Sequence, residues 1–283
     1  MLKVKTPEEV SEIIKLNLSS LKCGPEPVKT TDVLGRVLYE DIISDENVPG
    51  FNRSTVDGFA VLASDTFGCS ESIPAVLTIA GEVLMGESAE FQLIPGTCVI
   101  VSTGGDIPSG ANAVIMVEHT EDYGSGMIGI QKPAAPGNNV IFKGDDVTVG
   151  DIVLTAGTVL TPHDVGILSA LGYTEVNVSS KPLVGIISTG DELVPTSSLP
   201  ERGQIRDVNT PLLFAAAKRF GAEAIEYGII RDNEAALREA VVTAAGNCDI
   251  ILLSGGSSAG TRDLTARVIE SEGELLQDRK SVV

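Results

Sequence analysis

Three apolar runs in the second half of the chain predict buried β-strands. The run at residues 183–187, Leu-Val-Gly-Ile-Ile, has no polar position and predicts a strand that is buried on both faces. Residues 224–230 and residues 249–254 are rich in Ile and Leu and predict two further strands. Both end in polar loops, as the first run does. The pattern predicts three strands of one sheet.

Segments with helical signals separate these strands. The first predicted helix is capped near Asn209 or Thr210, opened by Pro211 and ended by Gly221; the second runs from about residue 232 to Gly246. Strands that alternate with helices predict a parallel sheet with right-handed crossovers. The second half therefore has the pattern of a Rossmann-like α/β domain.

The first half of the chain has a different sequence pattern. Thr6-Pro7-Glu8-Glu9 has the pattern of a capping box and predicts a helix start, and residues 161–171 predict a short helix. From about residue 54 to residue 159, short Val/Ile segments alternate with Gly, Pro and Asn turns, as at residues 75–79, 98–101 and 113–117. This alternation predicts a β-rich domain, so that the chain as a whole is a multidomain α/β protein.

Composition narrows the class of partner. The chain has 283 residues and a net charge of -19, and such a surface repels nucleic acid and anionic membranes. The sequence has no signal-peptide pattern and no apolar stretch of membrane-spanning length. Four dispersed Cys without a C-x-x-C predict free thiols in a reducing cytoplasm. The presence of only two His residues disfavours a Ser-His-Asp triad.

Polar loops follow the predicted parallel strands, where α/β sheets bind their ligands. Ser188 to Glu192 combines a Gly with two carboxylates, which suits an anionic ligand and a cation such as Mg²⁺. The small residues from Ser254 to Gly260 have the composition of a phosphate cradle, and Asp263 follows at a helix entrance. The alternatives are solvated charges and a flexible loop with Asp263 as a cap. Three polar loops on one edge favour a binding site.

Three polar segments in the first half of the chain distinguish less clearly between a turn and a binding site. Asp57-Gly58 lies in an Arg- and Ser-containing stretch between aromatic residues, where a β-turn and a site are equally good interpretations. The segments at residues 102–105 and 143–146, taken singly, favour turns.

Together these segments resemble the MoeA family of molybdopterin molybdenumtransferases, which includes the gephyrin E-domain. The matching stretches run in the family's order and are residues 48–61, 102–105, 136–151, 160–172, 185–194, 203–209, 228–233 and 254–265. The resemblance implies insertion of molybdate into adenylated molybdopterin with release of AMP, assisted by Mg²⁺. It also implies a homodimer with a shared site, the Asp57 region facing the partner's sheet, and handover of substrate from a molybdopterin adenylyltransferase.

The resemblance assigns roles residue by residue. The residues expected to be catalytic are Asp57, Thr103, Asp146 and Glu192. The residues expected to bind the pterin nucleotide are Ser188, Thr189, Gly190, Asp232, Ser254, Gly255, Gly256, Ser257 and Asp263. The residues expected to bind the metal are Asp191 and Glu192. The acids are expected to be buried and to converge on one pocket, which disfavours the alternative of a non-catalytic pterin-binding or scaffold module. A tungstate-inserting paralogue stays open.

The expected domains are a linker domain at 1–50 and 140–180, a β-rich inserted domain at 51–139, and a molybdopterin-binding α/β domain at 181–277. The chain departs from the family pattern at Arg53 and Val56 and in its Gly-rich loop, and it ends before the family's Lys-rich and C-terminal segments. We therefore expect an incomplete sheet with an exposed edge, and weak or no turnover. The six residues 278–283 match the translation of the adapter sequence GATCGGAAGAGCGTCGTG, which predicts a non-native tail.

Overall fold

The structure is a computed structural model that describes residues 6–18, 21, 23–90, 92–255 and 261–273, without the side chains of residues 261–263. The expected tail at 278–283 lies outside these residues. The helices are α1 (Pro7–Leu18), α2 (Pro162–Ala170), α3 (Asn209–Arg219), α4 (Glu234–Asn247) and α5 (Thr261–Glu272). The strands are β1 (Pro25–Lys29), β2 (Ile42–Ile43), β3 (Arg53–Ser54), β4 (Gly58–Val61), β5 (Ala75–Val83), β6 (Thr97–Val101), β7 (Ala113–Met116), β8 (Thr120–Gly124), β9 (Met127–Ile130), β10 (Val140–Ile141), β11 (Ile152–Leu154), β12 (Glu175–Ser179), β13 (Leu183–Thr189), β14 (Leu193–Val194), β15 (Ile205–Arg206), β16 (Glu223–Ile230) and β17 (Ile250–Gly255).

The chain divides into two compact units. The α/β unit comprises Met1–Tyr39, Gly157–Val165 and Thr174–Val283, and the β-rich unit comprises Glu40–Ala156 and Gly166–Tyr173. The domain boundaries expected from the sequence stay predictions. Within the described residues, no helix combines the length and the apolar character needed to cross a membrane.

The β-rich unit is built on a six-stranded sheet with the order β7-β4-β6-β5-β9-β8. The apolar residues of β4 alternate between its two faces. Phe59 and Val61 pack into one buried cluster with Leu77 and Ile128, whereas Ala60 packs into another. Both faces of the sheet are therefore covered, which explains why β4 is buried along its whole length.

The α/β unit contains a parallel sheet of three strands with the order β16-β13-β17. The central strand β13 is buried on both faces, as its apolar run predicts. On one face Ile187 packs with residues of α4 and α5, and on the other Ile186 packs with Ala217 of α3. The expected fold class, a β-rich part and a Rossmann-like parallel α/β part in one multidomain chain, is confirmed.

The predicted helix starts are partly correct. At α1 the capping box forms, because the Thr6 N–H donates to Glu9 Oε2 at 2.8 Å and the Glu9 N–H donates to Thr6 Oγ1 at 3.3 Å. The predicted cap of α3 is wrong. Asn209 and Thr210 are the first two residues of the helix, and their N–H groups donate to the carboxylate of Asp207, at 3.1 Å each.

Candidate functional site

The carboxyl ends of the three parallel strands form the edge at which the predicted loops leave the sheet. Ser188 pairs with Ile229 on one side and with Ser254 on the other, and Thr189 pairs with Gly255. Ser188 is 0% exposed and Thr189 is 2% exposed, so they form the floor of this edge. The parallel register therefore brings Ser188 beside Ser254, although the two residues are far apart in the chain. The same register joins Leu183 and Asp249, which lie 66 positions apart, at the opposite end of the strands.

Hydrogen bonds tie the first two loops together. The hydroxyl of Thr189 donates to Asp232 Oδ1 at 3.1 Å, and the Asp232 N–H donates to Asp191 Oδ1 at 3.4 Å. A Cβ added to Gly190 would lie 2.7 Å from Glu192 Oε2, so the Glu192 carboxylate covers this glycine. Asp191 and Asp232 are thus neighbours, as their places after adjacent strands suggest.

The third loop is held to α3 and to β13. The Asn209 amide donates to Ser254 Oγ at 2.7 Å. Gly255 has φ +128°, and a Cβ there would lie 2.1 Å from the Thr189 carbonyl oxygen, so only glycine allows this approach of the two strands. Gly256 and Ser257 lie outside the described residues, and Asp263 lies in the first turn of α5 with its side chain outside them.

Asp207 is the residue of this edge that the sequence interpretation missed. Its side chain accepts hydrogen bonds from the Thr210 hydroxyl at 2.6 Å and from the first two N–H groups of α3, and Ser188 Oγ lies 2.8 Å from Thr210 Oγ1. Burial raises its pKa, but the hydrogen bonds from Thr210, Ser188 and Asn209 outweigh that effect and lower the pKa below its usual value. An Asp two residues before the presumed cap was the available signal, because Asp favours positions at helix N-termini.

A cleft of about 500 Å³ opens beside these residues within the α/β unit. Its walls include Asp191, Gln204, Asp207, Thr210 and Arg231. Arg231 offers a guanidinium to an anion, while Asp191 offers carboxylate oxygens to a cation. The cleft therefore has the chemistry to bind a ligand that carries phosphate together with a divalent ion.

A second group of predicted residues lies in the β-rich unit. Asp57 Oδ1 accepts hydrogen bonds from the Thr103 N–H at 2.7 Å and from the Thr103 hydroxyl at 3.0 Å. These bonds, the backbone bond first, lower the pKa of Asp57 below its usual value. A Cβ at the next residue, Gly58, would lie 1.8 Å from the Ile115 carbonyl oxygen. The Asp57-Gly58 pair is therefore fixed by strand packing, not only by a turn.

Asp146 belongs to the same unit. Its N–H donates to the Val48 carbonyl at 3.0 Å, and the neighbouring Lys143 N–H donates to Asn52 Oδ1 at 2.8 Å. The segment of Asp146 is thus tied to the beginning of the stretch that contains Asp57.

The expectation that the acids are buried is wrong for those described. Asp57, Asp146, Asp191, Glu192 and Asp232 are all exposed. The reason is that each follows a strand end or a turn, where its carboxylate meets solvent or backbone N–H groups.

The carboxylates at this edge of the sheet suit Mg²⁺ only if a substrate supplies phosphate oxygens as further ligands. No group of three or more His, Cys, Asp or Glu that could hold a metal ion occurs in the part of the chain that the structure describes. Mg²⁺ commonly uses one or two protein carboxylates together with substrate phosphates and water, and the Asp191 carboxylate lines the cleft in which such phosphates would bind. The magnesium site therefore stays a prediction.

Comparison with known proteins identifies the family. A family model described as the MoeA N-terminal region (domain I and II) matches residues 6–172, which is more than half of the chain. The chain belongs to the MoeA family. A second model, described as a probable molybdopterin binding domain, matches residues 185–282, and it covers the parallel sheet and the cleft beside it. The family resemblance expected from the sequence is thus confirmed.

Similar proteins extend over nearly the whole chain. A molybdopterin molybdenumtransferase of Bacillus subtilis (strain 168) is 36% identical over 277 residues, which cover 96% of this chain and 64% of that protein. A molybdopterin molybdenumtransferase of Haemophilus influenzae is 35% identical and is covered over 61% of its length. The crystal structure of a molybdopterin biosynthesis MoeA protein from Pyrococcus horikosii matches with a TM-score of 0.81 and 40% identity, over 95% of this chain and 67% of that one. The chain thus spans less than two thirds of the length of these two curated relatives.

Proposed function

We propose that this protein inserts molybdate into adenylated molybdopterin and releases AMP, as a molybdopterin molybdenumtransferase of molybdenum cofactor biosynthesis. The observation that carries the proposal is the edge of the parallel sheet, where Asp191, Asp207 and Arg231 line a polar cleft inside the region that matches a molybdopterin-binding model. The names of the relatives support the same reaction.

The roles follow from the chemistry of each group. Ser188, Thr189 and Gly190, with Ser254 and Gly255, surround the edge at which the pterin nucleotide binds. Arg231, which lines the cleft, faces the phosphates. Asp191 and Glu192 would hold Mg²⁺, and the bound ion would neutralise charge on the pyrophosphate.

A molybdate oxygen then attacks the phosphorus on the pterin side of the phosphoanhydride, the bond from that phosphorus to the bridging oxygen breaks, and AMP leaves with the bridging oxygen. The two dithiolene sulfurs then bond to molybdenum, the bond between molybdenum and the phosphate oxygen breaks, and that oxygen stays on the pterin phosphate. Catalysis of such a transfer rests on position and charge rather than on a covalent intermediate with the protein.

We also propose that Asp57, Thr103 and Asp146 act in a site that is shared between two copies of the chain. The support is their resemblance to the family's motif residues and the two hydrogen bonds by which Thr103 holds the Asp57 carboxylate in place. A cytoplasmic location is proposed too, because all four cysteines are free thiols. A molybdopterin adenylyltransferase is the proposed donor of the substrate.

The reaction is tested with the purified product of the complete gene, adenylated molybdopterin, Mg²⁺ and molybdate, and AMP is measured by chromatography. The proposal predicts AMP release that depends on molybdate and that Asp191→Asn abolishes without a change in thermal unfolding. AMP release that requires tungstate instead would favour the tungstate paralogue. Absence of release with either oxyanion under conditions where a MoeA relative is active would contradict the proposal.

The shared site has its own test. Asp57→Asn and Asp191→Asn are each expected to be inactive. When the two variants are mixed and reassociated, half of the dimers are mixed and carry one intact site of two, so roughly a quarter of the wild-type activity returns. A mixture that stays inactive although mixed dimers form would show that each copy builds its own site.

A further inference from the structure

A second cleft lies in the α/β unit, apart from the loops of the candidate site. It encloses about 1020 Å³ and is bordered by the segment Leu34–Tyr39, by residues 179–182 and by the end of α3 at residues 218–221. None of the residues proposed above for catalysis or ligand binding lines it. We call it the basic cleft.

The charge of the basic cleft is opposite to that of the chain. Arg36, Lys181, Lys218 and Arg219 line it, and no Asp or Glu is among its described lining residues, although the chain carries 39 acidic and 20 basic residues. Glu26 forms an ion pair with Arg36 and also interacts electrostatically with Lys181, so the four cations face this one carboxylate. Lys218 and Arg219 also complement the negative end of the α3 dipole, but Lys181 belongs to no helix and has no such role.

Large apolar side chains stand between these cations. Phe220 is 84% exposed and Leu34 is 62% exposed, and both line the basic cleft together with Val159, which is 58% exposed. Phe220 follows the last residue of α3, a position at which a polar residue would serve equally well. Apolar anchors surrounded by charges of one sign are typical of a surface that binds a protein segment of the opposite charge.

We propose that the basic cleft docks an acidic peptide segment of a partner protein, with one or two large apolar side chains among its acidic residues. The cations attract the acidic residues and steer the encounter, while Phe220 and Leu34 receive the apolar ones. A polyanion without apolar groups would leave the side chains of Phe220 and Leu34 exposed to solvent. This inference is independent of the proposed reaction.

The test selects binders without bias and then removes the cleft. Short random peptides displayed on phage are selected on the purified chain, and the enriched sequences are synthesised with a fluorescent label for anisotropy titrations. We expect acidic residues around Leu, Phe or Trp, and an affinity that falls as salt rises. We expect the double change Lys218→Glu and Arg219→Glu, and separately Phe220→Ser, to weaken binding by at least about tenfold.

Lys132→Glu combined with Lys143→Glu is the matched control, because this double change makes the same change of charge at two exposed positions of the β-rich unit. It should leave the affinity within about twofold of wild type. If a Glu variant unfolds, as judged by circular dichroism, Lys218→Ala and Arg219→Ala replace it.

Four results would overturn the proposal. Enriched peptides of neutral or basic composition would do so, as would acidic peptides that bind the cleft variants and wild type equally. Competition by inorganic tripolyphosphate as effective as that of the peptide would indicate a simple anion site. Self-association in sedimentation experiments that Lys218→Glu abolishes would indicate that the basic cleft pairs copies of the chain.

Discussion

Replacement of Asp207 is the perturbation for which the structure gives the sharpest expectation. The residue is 6% exposed, and its carboxylate connects the end of β13 with the start of α3. Asp207→Ala removes the acceptor of the 2.6 Å bond from the Thr210 hydroxyl, and a hydrogen bond to a charged group contributes about 1.5–3 kcal/mol. It also removes the acceptor of two N–H groups of α3, and loss of such a cap costs about 0.5–2 kcal/mol. We expect the free energy of unfolding to fall by about 3 kcal/mol.

The pH dependence of this loss follows from the lowered pKa of Asp207. A carboxyl group whose pKa is lower in the folded protein stabilises the fold fully above its unfolded pKa of about 3.9, and this contribution disappears as the pH falls through the folded pKa. The difference in stability between wild type and Asp207→Asn should therefore be constant from pH 6 to 7, and it should narrow below about pH 4.

Urea unfolding followed by far-ultraviolet circular dichroism measures both effects, and hydrogen exchange of the α3 amides assigns them to the α/β unit. Asp151→Ala is the control. This exposed carboxylate accepts the same pair of bonds, from the N–H and hydroxyl of Thr148 at 2.8 Å each, and its loss should be smaller. An Asp207→Ala variant as stable as wild type, or a difference that widens as the pH falls, would refute the reasoning.

Three further predictions concern single residues. Gly255→Ala places a Cβ 2.1 Å from a carbonyl oxygen and should lower the free energy of unfolding by at least about 2 kcal/mol. Gly246→Ala, in α4 with open space around it, should instead raise the free energy of unfolding by about 0.5–1 kcal/mol. Thermal unfolding compares the two variants, and equal effects on stability would contradict the prediction. Asp57→Asn should reduce AMP release by at least about tenfold at unchanged stability, whereas Asp151→Asn, which has the same hydrogen-bond geometry, should not change turnover. Burial raises the pKa of the Cys98 thiol to about 12, so Cys98 should be protonated at pH 8 and react with iodoacetamide only after unfolding; rapid native labelling, measured by mass spectrometry, would contradict this.

The strands of the α/β unit were predictable because their signal is local. An apolar run such as Leu183 to Ile187 fits a strand that is covered on both faces, and β13 has this environment. The same locality explains the success at α1, whose capping box spans the four residues from Thr6 to Glu9.

The hydrogen bonds that connect the loops at the edge of the sheet were not predictable, because they join residues that are far apart in the chain. Asn209 reaches Ser254 over 45 positions and Ser188 meets Thr210 over 22. The position of Asp207 beneath β13 is fixed by the packing of α3 on the sheet, which no short pattern encodes. The predicted burial of the acids failed for a related reason, since residue type indicates the chemistry of a loop but not its exposure.

The ratio of AMP released to molybdenum bound in a single turnover tests the central claim most directly. Adenylated molybdopterin and the protein are mixed with molybdate and Mg²⁺, AMP is measured by chromatography, and molybdenum in the recovered pterin is measured by mass spectrometry. The account predicts one AMP for each molybdenum inserted, and neither product with Asp191→Asn. AMP release without molybdenum in the pterin, or equal release in the absence of molybdate, would contradict it.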